Sequence, residues 1–248
     1  PQDGSNSIFT NTRTFYGAAQ DMLAKMKEIA SGDLGGTPED YDISNERVHQ
    51  IADESVGMTF GQVAARALEL GGKYTGSSDL PEELAEWTQI SVSRLAGSAF
   101  MGVFHDPRHE GNPPGFTVSC VEIELDTETG KYEILDLINV ADSGTIMHPK
   151  GMENQLVGGA VWGIGLSGYE RHLYDPQNGM PASTGYWQSK VPTFLDTPVK
   201  IQTGWVDLPD PENPVGARGV GEPAQGSVSA ALTAAISDAL GGHIFGAS

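Results

Sequence analysis

A single carboxylate lies among glycines in the last part of the chain. Residues 216–223 have the sequence GARGVGEP, so three glycines precede Glu222 and Pro223 follows it. Because proline disfavours the helical region for the preceding residue, we predict an extended Glu222 and a helix that begins just beyond it. Packing alone rarely requires an acidic side chain on so bare a loop, which indicates a chemical role. The alternative is a helix N-terminal charge that complements the macrodipole.

A second candidate lies near the start of the sequence, where small polar residues precede an apolar-periodic segment. Gly4, Ser5, Asn6 and Ser7 are followed by apolar side chains at helical spacing from Phe15 to Ile29. Free backbone amides at the start of a helix, together with the positive end of its dipole, can bind an anion. The alternative is ordinary N-capping by serine or asparagine.

A third helix is predicted after His148 and Pro149, and it is unusually rich in glycine. Its apolar face is formed by Met152, Leu156, Ala160 and Ile164, and it also carries Gly158, Gly159, Gly163 and Gly165. Each glycine costs about 1 kcal/mol relative to alanine in a helix interior. A close approach must offset this cost, and either a neighbouring element or a flat cofactor would explain it, core packing being the commoner cause.

Residues 163–168 match the dinucleotide-binding pattern G-x-G-x-x-G letter for letter. These glycines fall within the helical period rather than in a strand-to-helix turn. No acidic residue ends a second strand at the expected distance. We therefore predict no dinucleotide site here.

The elements that must position these residues are helices and short strands. A hairpin is predicted from 116–125 and 132–140 around a turn at 126–130, which indicates antiparallel sheet. Further strands are predicted near 46–48 and 199–206, and a helix capped by Thr59 that stops at Gly71. The predicted class is α+β, with mixed or antiparallel sheets flanked by helices. No repeat or domain boundary is visible, so residues 1–248 are expected to form one unit.

The composition excludes several classes of protein. Lys+Arg 14 against Asp+Glu 33 gives a net charge of −19, which argues against binding to nucleic-acid phosphates or to membranes through basic residues. The one cysteine, Cys120, excludes an internal disulfide and a multi-cysteine metal or iron–sulfur site. Because it lies in a strand-like run, a packed thiol is expected. No apolar stretch reaches the length of a membrane span, and no signal peptide is visible.

Four motifs, in order along roughly residues 1–240, resemble the large molybdenum-binding subunit of the xanthine dehydrogenase/aldehyde oxidase family. The first is the glycine/serine loop at 4–7, and the second is the D-x-G…P…E-x-Q…G-G…G-x-G passage between 142 and 165. The third combines 191–193 with 196–198, and the fourth is the glycine loop that ends at Glu222. The chain resembles the C-terminal half of the molybdenum-binding domain. The family's molybdenum subunit is about three times as long as this chain.

The resemblance assigns roles to particular residues. It makes Glu222 the catalytic general base, and it implies that no protein side chain ligates the metal. The polar loop would hold the phosphate or nucleotide of the pterin through amides and hydroxyls, Gln155 would hydrogen-bond the cofactor, and the glycine loop would approach the metal with its backbone. The implied cofactor-binding residues are Asp3, Gly4, Ser5, Asn6, Ser7, Gln155, Gly219, Val220 and Gly221.

The resemblance also implies a reaction and a set of partners. The expected activity is that of a molybdenum hydroxylase that oxidises an aldehyde or an N-heterocycle with water-derived oxygen, on a molybdenum–pterin cofactor of which the cytosine dinucleotide is one form. Carbon monoxide dehydrogenase and aryl-CoA reductase are alternatives within the family, and a non-catalytic domain whose glycines serve packing is an alternative outside it. Expected partners are the N-terminal half of the molybdenum subunit, a 2Fe-2S subunit and an FAD subunit. The expected location is cytoplasmic, or periplasmic if a partner carries the signal.

Overall fold

The computed structural model describes residues 4–71, 86–95, 100–102 and 115–242. Asp3 lies outside the described residues. The chain divides into two compact units, one formed by residues 1–10 and 111–248 and the other by residues 11–110. The expectation of one cofactor-binding portion spanning residues 1–248 stays a prediction.

The unit of residues 11–110 combines helices with a small antiparallel sheet. Helix α1 (Ser7–Leu34) begins in the other unit and runs through this one. The remaining described elements are β1 (Tyr41–Ser44), β2 (Arg47–Gln50), β3 (Gly57–Thr59), α2 (Phe60–Leu70) and α3 (Glu86–Leu95), with sheet order β1-β2-β3. The core contains Met26, Ile29, Ala30, Tyr41, Val48, Val63 and Ala67. Thr59 caps α2, since its side chain accepts a hydrogen bond from the Gln62 amide, as predicted.

The unit that contains residues 115–242 is a mixed sheet packed against two helices. Its elements are β4 (Phe116–Leu125), β5 (Tyr132–Asp142), α4 (Pro149–Ile164), α5 (Tyr186–Ser189), β6 (Ile201–Val206) and α6 (Glu222–Ala239). Strand β5 pairs antiparallel with β4 and parallel with β6. The predicted hairpin is thus present, and the sheets and flanking helices confirm the predicted fold class.

The core of this unit lies between the sheet and helices α4 and α6. Two buried clusters fill it, one with Leu137, Ala160, Ile164 and Val228 and one with Ala141, Met152, Leu156 and Ala224. Asn139 is fully buried between them on β5, where its Nδ2 donates to the Leu156 carbonyl at 3.0 Å. The Ser119 hydroxyl donates to Asn139 Oδ1 at 3.0 Å, so the buried amide is satisfied on both sides.

Two of the α4 glycines are explained by the close approach of α6. A Cβ atom on Gly159 would lie 2.7 Å from the Ala224 Cβ, and one on Gly163 would lie 2.6 Å from the Gln225 carbonyl oxygen. By contrast, nothing lies within 4 Å of a Cβ placed on Gly158. Helix packing therefore accounts for Gly159 and Gly163. The rejected dinucleotide pattern lies on α4 and on the π-helical turn Gly165–Tyr169 that follows it.

Two predictions from the sequence were wrong. Helix α6 begins at Glu222 itself rather than beyond it, because Gly221 adopts a φ of +121° and takes the N-cap position. Cys120 is exposed rather than packed. The cause is strand alternation: Phe116, Val118 and Cys120 all project from the exposed face of β4, while the residues between them face inward.

The loop that carries the glycines is tied to the end of β5 by an ion pair. Arg218 Nε donates to Asp210 Oδ2 at 2.5 Å, and its Nη1 donates to Asp142 Oδ2 at 3.1 Å. The Asp210 side chain is only 4% exposed. These contacts raise the pKa of Arg218 above its ordinary value, the hydrogen bond to Asp210 contributing most and burial acting against it. The Arg218 amide also donates to the Ser143 carbonyl at 2.7 Å, which fixes the backbone of the loop.

The contact between α4 and α6 predicts opposite effects of the same substitution at two glycines. Gly163→Ala should lower the free energy of unfolding by about 1–3 kcal/mol, because its methyl group overlaps the α6 backbone. The control, Gly158→Ala, should raise it by up to about 1 kcal/mol, because it improves helix propensity in open space. Chemical denaturation measures both, and equal effects would contradict this packing.

The ion pair predicts that a second substitution, at Asp210, restores part of the stability lost when Arg218 is replaced. Arg218→Ala should lower the free energy of unfolding by about 2 kcal/mol, less than for a fully buried pair, because it removes a cation that donates to the buried Asp210 carboxylate. Adding Asp210→Asn should recover part of that loss, since Asn lacks the charge and can still accept the Glu212 amide that now donates to Oδ1 at 2.8 Å. A double variant no more stable than Arg218→Ala, measured by denaturation, would show that the charge is not the cause.

Candidate functional site

Three segments that are distant in sequence surround one cavity of about 410 Å³. They are the loop before α1 with its first turn, the connection from β5 into α4 with its first two turns, and the glycine loop before α6. The lining residues are Ser5, Ser7, Ile8, Ser143, Thr145, Ile146, Met147, His148, Gly151, Met152, Asn154, Gln155, Ala217, Arg218 and Val220. All belong to the unit formed by residues 1–10 and 111–248.

Ser5 joins the start of the chain to Glu222 by two hydrogen bonds. Its hydroxyl accepts from the Glu222 amide at 3.1 Å and donates to Glu222 Oε2 at 3.2 Å. Ser5 has a φ of +57°, a left-handed conformation that costs a non-glycine residue about 1 kcal/mol. The serine therefore fixes the direction of the glutamate carboxylate at the first residue of α6.

The glycine loop packs bare backbone against the other two segments. A Cβ atom on Gly219 would collide with the Ser5 carbonyl oxygen. One on Gly221 would lie 2.7 Å from Gln155 Oε1 and 3.1 Å from Ser5 Oγ. At Gly219 glycine is required by contact, because the obstacle is the backbone of Ser5. At Gly221 the neighbours are side-chain ends that can move, and the φ of +121° is what requires glycine.

Asn213 holds the first turn of α1 beside this loop. It is buried, and its Nδ2 donates to the Phe9 carbonyl at 3.0 Å while its Oδ1 accepts from the Val215 amide at 3.0 Å. The proline-rich loop before the glycines thus positions α1 as well as α6.

Two helices begin at the cavity and direct their positive dipole ends towards it. Ser7 and Ile8 open α1, and Gly151 and Met152 lie in the first turn of α4. His148 caps α4, since its Nδ1 accepts from the Gly151 amide at 2.7 Å, which leaves the proton of a neutral ring on Nε2. Helix N-termini with hydroxyl groups beside them are suited to bind an anionic group such as a phosphate.

The structure brings together most of the residues proposed from the sequence. Ser5, Ser7, Gln155 and Val220 line the cavity. Gly219, Gly221 and Glu222 do not line it, but all three contact Ser5. Gly4 and Asn6 flank Ser5 without lining the cavity, and Asp3 lies outside the described residues. The roles given to these residues stay predictions.

Sequence reasoning assigned no role to several lining residues. They are Ser143, Thr145, Ile146, Met147, His148, Asn154 and Arg218. Most of them belong to the motif between 142 and 165. The resemblance of that motif to the family was the signal that could have identified them. Ser143, Thr145, Ile146 and Met147 have small or apolar side chains that gave no separate chemical indication, and nothing in the spacing of His148, Asn154 and Arg218 indicated that they share one site.

The part of the chain that the structure describes contains neither a metal-binding cluster nor a membrane-spanning helix. Within residues 4–71, 86–95, 100–102 and 115–242, no three His, Cys, Asp or Glu side chains are grouped so that they could hold a metal ion. None of the helices in the described ranges is long and apolar enough to cross a membrane.

Comparisons with known proteins agree with the motifs. The family profile described as the molybdopterin cofactor-binding domain matches residues 1–198. The xanthine dehydrogenase/oxidase of Gallus gallus is 32% identical and matches 96% of this chain, and the carbon monoxide dehydrogenase large chain of Hydrogenophaga pseudoflava is 31% identical over 86% of it. The solved quinoline 2-oxidoreductase of Pseudomonas putida 86 superposes with a TM-score of 0.60 at 26% identity over 90% of this chain.

The matched region is a small part of each of these proteins. It covers 19% of the Gallus gallus protein, 29% of the Hydrogenophaga pseudoflava chain and 26% of the quinoline 2-oxidoreductase chain. The family recognised in the sequence is confirmed. This chain belongs to the molybdopterin cofactor-binding domain family of the xanthine dehydrogenase/aldehyde oxidase type.

Proposed function

We propose that this chain is part of a molybdenum hydroxylase, that the cavity beside Ser5 holds the molybdenum–pterin cofactor, and that Glu222 is the general base. The observation that carries the proposal is the convergence of three distant segments on one cavity of about 410 Å³, with a carboxylate fixed by Ser5 at its edge. A glutamate with only a capping role would not need a dedicated hydroxyl from 217 residues away.

The residues that are present fit such a cofactor. The glycine loop packs at Gly219 and Gly221 against Ser5 and Gln155, two residues that line the cavity, so its backbone helps to hold the cavity wall in place. The hydroxyl of Ser7 and the amides at the start of α1 would hold a phosphate of the pterin. The Ser5 hydroxyl has only one proton, which it donates to Glu222, so its part is to position that side chain. The amide of Gln155 would hydrogen-bond the cofactor. Arg218 contributes less charge to an anion than a free arginine, because Asp142 and Asp210 already neutralise it.

The role of Glu222 follows from its position at a helix N-terminus. When bound, the cofactor would supply the two-electron oxidation of the substrate with oxygen derived from water. Glu222 would accept the proton that this oxidation releases, which requires a carboxylate that is ionised and aimed. The hydroxyl of Ser5 donates to Glu222 Oε2 at 3.2 Å and so holds the carboxylate in one direction at the first residue of α6.

The substrate class and the partners are part of the proposal. The relationship to a quinoline 2-oxidoreductase supports an N-heterocyclic substrate, and an aldehyde is the second choice from the family. Electrons must leave the site, so we propose iron–sulfur and flavin partners, a cofactor in the mononucleotide or cytosine dinucleotide form, and a cytoplasmic location. The chain spans under a third of the relatives described, so the rest of a molybdenum subunit is also required.

A second candidate function is oxidation of carbon monoxide. The similarity to a carbon monoxide dehydrogenase large chain over 86% of this chain favours it. Assays of the purified complex with carbon monoxide, an aldehyde and an N-heterocycle separate the two candidates. Turnover of carbon monoxide alone would select the second.

Glu222→Gln should lower turnover by at least about 100-fold, the usual effect of losing a general base, while the molybdenum and pterin content stays normal. The matched control is Glu122→Gln, which makes the same change at an exposed position on β4 and should leave turnover unchanged. Steady-state kinetics normalised to molybdenum content measure both. A fully loaded Glu222→Gln enzyme with near-normal turnover would remove Glu222 from the mechanism.

A further inference from the structure

The segment of residues 170–200, here called the apolar arm, connects the π-helical turn to β6. It contains only the single-turn helix α5 and a 3-10 turn at Phe194–Asp196. Within the described part of the chain, none of the three core clusters includes a residue of the arm. Nine of its large apolar side chains are exposed, namely Leu173, Tyr174, Met180, Tyr186, Trp187, Val191, Phe194, Leu195 and Val199.

Several of these side chains are almost fully exposed. Phe194 is 97% exposed and Leu195 is 96% exposed, and Trp187 reaches 84%. Scattered exposed apolar residues are ordinary on a protein surface, but nine large ones concentrated in one segment indicate an interaction surface.

The arm is ordered by its own polar groups, which leaves its apolar groups turned outward. The Thr193 amide and hydroxyl each donate to Asp196 Oδ2 at 2.7 Å. Asp175 organises a second turn, since its carboxylate accepts from the Gln177 amide and from Asn178 Nδ2, both at 2.8 Å. Ordering the arm in advance lowers the entropy lost on association.

A cavity of about 480 Å³ lies between the end of the arm and the start of β5. Residues 195–199 form one wall, and Tyr132, Ile134 and Tyr169 contribute to the other. Such a cavity can receive one large side chain, which is how the strongest contacts in protein interfaces are usually made.

The charge of the arm differs from that of the chain. It carries three acidic and three basic residues, so its net charge is zero, against −19 for the whole chain. Low charge and a high content of Tyr, Trp and Phe are typical of the buried centre of a protein interface. A second copy of so acidic a chain, or an anionic membrane, would be repelled by the rest of the surface.

We propose that the apolar arm docks on the portion of the molybdenum subunit that this chain does not contain, on the same polypeptide or a separate one. The inference rests on the proposed function in requiring that subunit. The matched relatives carry more than two thirds of their length outside the matched region, so a large protein surface is available to cover the arm. A permanent apolar interface fits this occupant better than a transient partner.

Carbene footprinting of the complete enzyme tests the proposal. Tyr186, Trp187 and Phe194 should be labelled at least 10-fold less in the native enzyme than after denaturation, while the exposed turn at 126–130 is labelled equally in both. Cross-linking through Lys190 and Lys200 should connect the arm to segments of the molybdenum subunit outside these 248 residues. An arm labelled as strongly as the turn, or cross-linked only to a second copy of this chain or to an iron–sulfur or flavin subunit, would overturn the proposal.

Two substitutions that each add one positive charge, one in the arm and one outside it, make the test specific to the arm. Phe194→Lys should raise labelling of Trp187 in the native enzyme at least 5-fold, and Thr127→Lys, in the exposed β4–β5 turn, should not. The measurement is repeated on enzyme depleted of molybdenum and pterin. If the arm is protected but the enzyme as purified contains no molybdenum, the docking proposal stands and the proposed function is refuted. If the arm is unprotected in an active molybdenum enzyme, the proposed function stands and the docking proposal is refuted.

Discussion

Two hydrogen bonds between Ser5 and Glu222 join parts of the chain that are 217 residues apart, and the geometry of the site depends on them. They form only because Gly219 and Gly221 let the loop before α6 approach Ser5 and Gln155 without a side chain between them. Close packing of this kind tolerates almost no change in volume. The two glycines, Ser5 and Glu222 therefore act as one structural unit, and a change in any one of them is expected to disturb the others.

The surrounding structure supports this contact from three sides. Arg218 ties the loop to the end of β5 through Asp142, and Asn213 ties it to the first turn of α1. Helix α6 is in turn held against α4 by the close approach at Gly159 and Gly163. The same three segments supply the walls of the cavity, so the elements that stabilise the larger unit are also those that shape the site.

The sequence predicted the elements with a clear periodicity and missed those set by contacts. The hairpin around 126–130 and the Thr59 cap were predictable because strand alternation and capping are local. The start of α6 was not, because the positive φ of Gly221 lets the helix begin at Glu222, one residue earlier than the rule for residues before proline predicts. Cys120 was misjudged for a related reason: a strand-like run shows that residues alternate between faces, but not which face is covered. The order of the motifs identified the family, whereas the lining by residues 143–148 became visible only in three dimensions.

The apolar arm is a second feature of the larger unit, distinct from the cavity. The cavity lies where helices α1 and α4 begin, and residues 170–200 present apolar side chains that no core cluster of the described residues covers. The exposed apolar arm is consistent with the proposed docking on a larger subunit, since the matched region forms less than a third of the relatives described.

Anomalous diffraction at the molybdenum edge, from crystals of the complete enzyme, would locate the metal relative to Glu222. We expect one molybdenum peak beside the cavity lined by Ser5, Gln155 and Arg218, with the Glu222 carboxylate directed at the metal's ligands. A molybdenum peak elsewhere in the enzyme, with Glu222 facing solvent or protein alone, would contradict this expectation.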